Sequence, residues 1–173
     1  NPAVTLTPTV SPGSVTFVNN STSYSLTGTG SLTGSGGLTQ SGTGTTVIDN
    51  SGVNAYTGPT TISAGTLQIG NNDAQGNLPA ASSITDNGTL VFNRTDSSSL
   101  ANTLAGSGAV TKNGAGILTL ANPGNNNGFT GSVNVNAGVL ALNNASQLPN
   151  AAALSVASGA TVQFVNNNTY GAS

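Results

Sequence analysis

The sequence predicts an all-β fold in which a single chain winds into a parallel β-helix, also called a β-solenoid, without helices. Three observations lead to this prediction. A unit of about 72 residues occurs twice, its apolar residues come in runs of three to five, and Gly, Asn or Ser bounds each run. Runs this short do not form stable hairpins on their own. They suit a chain that lays each coil on the one before, which is what a fixed sequence period indicates.

The repeat is clearest where residues 54–70 align with residues 127–143 without a gap, at an offset of 73. Each segment holds two short strands separated by a turn that contains Gly. Alternation of side chains along a strand places one set of aliphatic residues on the inward face. The predicted core residues are Ile62, Leu67, Ile69, Leu118, Leu120, Val133, Val135, Leu140 and Leu142. The predicted turn glycines are Gly58, Gly65, Gly131 and Gly138.

The chain divides into a short leader and a long solenoid. Residues 1–13 hold three of the seven Pro residues and are predicted as an extended leader or linker strand at an edge, since Pro cannot fill a central ladder position. Residues 14–173 are predicted as solenoid, with repeat copies at about 26–92 and 100–164 and the start of a third at 164–173. A coil of roughly 22 to 25 residues gives about three coils in each unit. Two β-sandwich domains are the competing architecture, but sandwich strands are usually longer and richer in aromatic residues.

Charge and composition exclude several classes of function. The 173 residues include two basic and four acidic side chains, and no His or Cys. No basic surface is available to neutralise phosphates, so nucleic-acid binding is excluded. No apolar run approaches the roughly 18 residues that span a bilayer, so we expect no membrane insertion by this segment. The absence of Cys removes disulfides and thiolate metal sites.

The residues that carry catalysis in other proteins are scarce and do not recur between the copies. The four Asp residues have no counterparts in the other copy and are interpreted as turn residues. The Ser and Thr hydroxyls have no His to activate them. A Ser–Lys pair would require Lys112, whose counterpart in the first copy is Gln40, and this exchange suggests a solvent-facing position. We therefore predict no catalytic residues, no metal ligands and no cofactor.

A glycan-binding or glycan-cleaving β-helix is the first functional alternative. Asp86 and Arg94 flank a predicted strand and could meet at a turn, while Tyr24 and Tyr56 could stack on sugar rings. Phe129 stands where the first copy has Tyr56, which favours packing of this ring at a corner. Ice binding by a solenoid is a second alternative, although Thr-x-Thr elements do not recur once per coil.

Both copies resemble the pattern G-x-G-x-L-T-L, then N-x-Y-x-G-x-T-x-V-x-x-G-x-L. The first copy departs from it with TTVI at residues 45–48 in place of L-T-L, and the second has Phe129 in place of Tyr. The second copy supplies Gly114, Gly116, Leu118, Thr119, Leu120, Phe129, Gly131, Val133, Val135, Gly138 and Leu140. The first copy supplies Gly42, Gly44, Val47, Ile48, Asn54, Tyr56, Gly58, Thr60, Ile62, Gly65 and Leu67. This pattern resembles the autotransporter-associated β-strand repeat in passenger regions of large bacterial surface proteins. The resemblance implies a right-handed parallel β-helix, export to the cell exterior, and a structural or adhesive role without an active site.

The expected function is therefore that of an extracellular or cell-surface solenoid, a segment or subunit of a bacterial surface fibre or adhesin that serves as scaffold, spacer or adhesive stalk. No charged edge or polar terminal coil is visible to block the ladder ends, and open ends pair with other strands. The expected partners are neighbouring repeats of a longer chain, or further copies stacked end to end or laterally. Surface glycans are a second class of expected partner.

Overall fold

The computed structural model describes residues 2–80, 82–124, 126–143, 147–148 and 153–165. Within these ranges the chain is all β, contains no α-helix, and forms a solenoid of about seven turns. Every strand pair in this part of the chain is parallel. The predicted β-solenoid is confirmed, and the sandwich alternative is wrong because its sheets would be antiparallel.

Three sheets run along the solenoid axis. The main sheet contains β1 (Ala3–Thr5), β3 (Tyr24–Thr27), β5 (Thr45–Ile48), β7 (Thr66–Asp73), β9 (Thr89–Arg94), β12 (Ala109–Lys112), β14 (Ser132–Val135) and β16 (Leu154–Val156). The second sheet contains β2 (Val15–Phe17), β4 (Leu38–Gln40), β6 (Thr60–Ile62), β8 (Ile84–Asp86) and β11 (Leu104–Ala105). The third sheet contains β10 (Ser98–Leu100), β13 (Ile117–Leu120), β15 (Val139–Leu142) and β17 (Thr161–Phe164).

The coils of the main sheet lie near or slightly below the lower end of the predicted length of roughly 22 to 25 residues. Partners on adjacent strands of the main sheet are 20 residues apart between Thr89 and Ala109, and 23 residues apart between Thr66 and Thr89. Three coils therefore use fewer residues than the sequence repeat of about 72. The remaining residues cover about one further side of the solenoid.

Because of this mismatch, equivalent strands of the two copies lie on different sides. Strand β4 belongs to the second sheet, whereas its sequence equivalent β12 belongs to the main sheet. Likewise β5 lies in the main sheet and its equivalent β13 in the third sheet. The expectation of about three coils in each unit is therefore refined: one unit spans three coils and about one of the three sides of a fourth. As a result, the second copy is rotated about the axis relative to the first.

The core is a set of aliphatic columns along the axis. The nine residues assigned to the core from the sequence are each at most 3% exposed. Leu67 stacks on Leu90 in the main sheet, and Leu118 stacks on Leu140 in the third sheet. Burial of one such side chain contributes about 1.5 to 3 kcal/mol. Since each column continues from coil to coil, the stability of the solenoid depends on the length of the ladder.

The turn glycines recur for a steric reason. Gly65 and its equivalent Gly138 have φ angles of +64° and +67°, in the left-handed region that L side chains rarely adopt. A Cβ atom at Gly138 would also lie against the backbone carbonyl oxygen of Gly116 on the preceding coil. Gly58 and Gly131 likewise sit against backbone atoms of the preceding coil.

The predicted leader, residues 1–13, contributes β1 to the edge of the main sheet. Leu6 is buried in the core, and Val10 forms an isolated parallel bridge with Leu32 on the next coil. The ladder thus continues within the leader as far as Val10. At the other end, the predicted start of a third copy at 164–173 lies outside the described residues from position 166 onward.

Candidate functional site

The tyrosine of the repeat is a packing residue at a corner. Tyr56 is buried, and its hydroxyl oxygen lies 2.8 Å from the Oγ1 atom of Thr60. Burial raises the pKa of Tyr56 to about 12. Its equivalent Phe129 is also fully buried. Of the two tyrosines proposed to stack on sugars, only Tyr24, in β3, has a partly exposed side chain.

Asp86 is a buried carboxylate at the end of β8. Its side chain is 0% exposed, and its Oδ1 atom accepts a hydrogen bond from the backbone N–H of Gly88 at 3.0 Å. Its Oδ2 atom has no hydrogen-bond partner among the described residues. Burial raises the pKa of Asp86 to about 6. A carboxylate in this position cannot reach a sugar in solvent.

Arg94 uses all five of its N–H donors within the protein. The Nε and Nη2 atoms donate to the carboxylate of Asp96 at 2.9 and 2.8 Å. The same guanidinium donates to the backbone carbonyls of Ala74 at 2.7 Å, of Gln75 at 2.6 Å, and of Gly76. The two bonds from Arg94 to the Asp96 carboxylate hold the pKa of this carboxyl below its usual range.

The residues proposed for a charged glycan site therefore do not act together. Arg94 is paired with Asp96 rather than with Asp86, and it fastens the loop that follows β7. Asp86 ends a strand of the second sheet, whereas Arg94 ends a strand of the main sheet.

Lys112 and Gln40 are buried, so the predicted solvent-facing position is wrong. The Nζ atom of Lys112 donates to the carbonyls of Gly114 and, at 3.3 Å, of Ala137. The Nε2 atom of Gln40 donates to the equivalent carbonyl of Gly42 at 2.7 Å. Both side chains are long enough to reach into the Gly turn that follows the strand. Burial lowers the pKa of Lys112.

A pair of buried asparagines ties together three coils, and the sequence analysis missed it. The Nδ2 atoms of Asn50 and Asn54 each donate to the other residue's Oδ1 atom at 3.0 Å. Asn54 Oδ1 also accepts the backbone N–H of Leu32 at 2.9 Å on the preceding coil. Asn54 Nδ2 donates to the carbonyl of Asn77 at 3.1 Å on the next coil.

The second copy contains the same device. Asn122 Nδ2 donates to Asn126 Oδ1 at 3.1 Å, and this oxygen accepts the backbone N–H of Leu104 at 2.9 Å. Asn126 Nδ2 donates to the carbonyl of Gln147 at 3.0 Å. Asn50 and Asn54 recur as Asn122 and Asn126 at an offset of 72 with a spacing of four, and this coincidence was the available signal. The ungapped alignment at an offset of 73 had instead placed Asn54 on Asn127.

The outer face of the second sheet carries a column of threonines, one on each of four successive coils. Thr16, Thr39, Thr61 and Thr85 are register partners from β2 to β8. From the sequence we expected only that Thr-x-Thr elements do not recur once per coil, and a column of single Thr residues was not predicted. The column is one residue wide, since each of these strands is three residues long.

The last described coil exposes apolar side chains of the kind that inner coils bury. Leu154 and Val156 of β16 are 46% and 45% exposed, and Phe164 of β17 is 62% exposed. In the described part of the chain, β16 and β1 are the edge strands of the main sheet.

No group of three or more acidic, His or Cys side chains that could hold a metal ion occurs among the described residues. Asp49 and Asp73 do lie beside each other, and burial together with the Asp73 charge raises the pKa of Asp49. The described residues also contain no helix long and apolar enough to cross a membrane.

Comparison with known proteins gives two matches. Residues 38–69 and 110–142 each match the family model described as the passenger-associated-transport-repeat. The chain is 42% identical over 107 residues to the adhesin BmaC autotransporter of Brucella suis biovar 1 (strain 1330). This alignment covers 62% of the chain and 3% of the relative, so the chain spans a small part of the length of that protein. No solved structure matches the chain.

Proposed function

Since the chain carries two autotransporter passenger repeats, we propose that it is a stalk segment of a bacterial surface adhesin, a stiff spacer without catalytic activity. The single observation that carries this proposal is the unbroken parallel ladder of eight strands. A ladder of this kind transmits force through backbone hydrogen bonds and packed aliphatic columns. The name of the relative, an autotransporter adhesin, supports placement at the cell surface.

The polar residues of the interior support a structural role. The buried amides of Asn54 and Asn126 bond to backbone groups of the coils before and after their own. Arg94 and Lys112 donate to backbone carbonyls and, in the case of Arg94, to one surface carboxylate. These groups hold coils and turns together, and none of them is presented to a substrate.

The partner that we propose for the exposed apolar residues of the last described coil is another coil of the same kind. The residues of β16 and β17 continue the aliphatic columns of the preceding coil. Leu154 stacks on Val133, and Val162 stacks on Leu140. Stacking of a further repeat would bury them and satisfy the ladder edge. In a surface protein that partner is the next repeat, and for an isolated chain it is a second copy.

Insertion of a matched repeat tests the spacer proposal. Duplication of residues 38–109 adds 72 residues, which is the sequence offset between the two family-model matches. We expect a folded rod that small-angle scattering shows to be longer by about 16 Å, from three and a third coils at roughly 4.8 Å each. Duplication of residues 38–97 does not respect the repeat and should disrupt folding. A matched insertion that leaves the length unchanged would refute the proposal.

Ice binding is a second candidate, favoured only by the threonine column on the second sheet. A regular row of hydroxyl and methyl groups at about 4.8 Å spacing could order water. Measurement of thermal hysteresis decides this candidate. Its absence in the parent chain, or its persistence after Thr39→Leu and Thr61→Leu, would exclude a role for the column.

A further inference from the structure

A groove of about 210 Å³ opens where the chain passes from the loop after β7 to strand β10. Its apolar lining consists of Ile69, Leu78, Phe92 and Leu100, and its polar lining includes Asn77, Ser98 and Ser99. We name it the Ser98 groove. It is smaller than the roughly 300 to 1,000 Å³ of pockets for drug-sized ligands, so it has room for one substituted six-membered ring.

The groove exists because a serine replaces an aliphatic residue in a core column. Ser98 of β10 is the register partner of Leu118, which stacks on Leu140, which in turn stacks on Val162. A serine at the first position of this column lacks the branched methyl groups that fill the later coils. The space between Ser98 and the loop that follows β7 on the preceding coil is therefore open to solvent.

The chemistry of the lining selects an uncharged, amphipathic ligand. Arg94 borders the groove, but all of its donors are engaged by Asp96 and the carbonyls of the loop. No other charged side chain lines the groove. An apolar floor beside several serine hydroxyls is the kind of lining that holds the C–H face of a sugar while bonding its hydroxyls.

We propose that the Ser98 groove binds one neutral hexose unit of a glycan. Ile69, Phe92 and Leu100 contact the apolar face of the ring, and the hydroxyl of Ser98 bonds to its hydroxyls. The side-chain amide of Asn77 borders the ring but is held by the backbone N–H and carbonyl of Asn54. This inference rests on the proposed function, because it gives the adhesin stalk a contact with a surface glycan. It differs from the charged glycan site expected from the sequence, since neither Asp86 nor a free Arg94 takes part.

The test is titration of the full chain with neutral monosaccharides, namely glucose, galactose, mannose and N-acetylglucosamine, followed by amide NMR. A site of this size should bind with Kd of about 1 mM or weaker. We expect shifts for at least one of the four sugars at the amides of residues 76–77 and 97–100. Ser98→Leu fills the groove and should abolish these shifts while keeping the chain folded, because leucine restores the aliphatic column.

Two matched variants complete the design. Ser98→Ala removes the hydroxyl but keeps the space and should weaken binding several-fold. Ser63→Leu adds the same side chain at an exposed position and should leave binding unchanged. Absence of shifts with all four sugars, or shifts that survive Ser98→Leu, would overturn the proposal.

An aliphatic probe and the length assay separate the remaining possibilities. If isobutanol shifts the same amides and no sugar does, the groove accepts an aliphatic side chain and the sugar proposal is wrong. If the groove binds no sugar but the matched insertion lengthens the rod, the glycan contact fails while the spacer function stands. If the rod does not lengthen, the proposed function itself fails.

Discussion

At the scale of single residues, Asp86 provides the clearest link between burial and pH. Its pKa rises to about 6 from the ordinary 3.8, so the folded chain binds this proton more tightly than the unfolded chain does. The stability of the fold should therefore fall as the pH rises from about 4 to 6, and stay lower above that range. The expected loss is about 2 to 3 kcal/mol, since one pKa unit corresponds to about 1.4 kcal/mol.

Urea denaturation at pH 4 and pH 7 measures this effect. The side chain of the Asp86→Asn variant cannot titrate. Between pH 4 and pH 7 the free energy of unfolding of this variant should therefore fall by about 2 to 3 kcal/mol less than that of the parent. The difference between the two proteins removes the contribution of other groups, including Asp49. Equal pH slopes for the parent and the variant would show that the Asp86 carboxyl is solvated.

The asparagine pair gives a second prediction at this scale. Asn54→Ala leaves the backbone N–H of Leu32 and the Oδ1 atom of Asn50 without a partner in a buried corner. Each orphaned group costs about 1 to 3 kcal/mol, so the free energy of unfolding should fall by more than about 2 kcal/mol. Asn71→Ala, at an exposed position, is the matched control and should change it by less than about 0.5 kcal/mol. Similar losses for both variants would contradict the role of the pair.

Sequence reasoning at the residue scale succeeded for side chains whose chemistry has one favourable environment. Leu67 and Leu140 could be placed in the core because aliphatic residues alternate along short strands. Lys112 was misplaced because its type suggests solvent, whereas its length lets the ammonium group reach turn carbonyls from inside the core. The groove at Ser98 could not be predicted, because its cause is the register of β10 against Leu118.

At the scale of elements, the turn after β14 decides how closely successive coils can approach. Gly138→Ala forces a side chain into the left-handed region and against the carbonyl of Gly116. We expect a loss of more than about 1 kcal/mol in the free energy of unfolding. Gly13→Ala is the control, since no atom lies within 4 Å of a Cβ built there. Thermal denaturation of both variants checks this, and equal melting temperatures would contradict the steric account.

The strands themselves show what a repeat can and cannot predict. The alignment of the two copies correctly paired β4 with β12 and β5 with β13 as equivalent elements. It did not reveal that each equivalent strand lies one side further around the axis. That rotation depends on the difference between three coils and the repeat length, which requires the coil length to within a residue or two. Loops of variable length hide this number in the sequence.

At the scale of the whole molecule, the coils stack in a single continuous ladder along the main sheet. In the main sheet six successive steps connect Ser25 of β3 to Ser155 of β16. At roughly 4.8 Å for each step these positions lie about 29 Å apart, and Thr111, four steps from Ser25, lies about 19 Å from it. The chain has no Cys, so paired spin labels can be attached to cysteines introduced at these positions without first removing a native cysteine.

Measurement of the two distances by double electron–electron resonance tests the claim most directly. The account predicts narrow distributions near 19 and 29 Å, after allowance for the label arms, so that the second exceeds the first by about 10 Å. Distances that do not increase along the order of the strands, or broad distributions that indicate independent units, would contradict it.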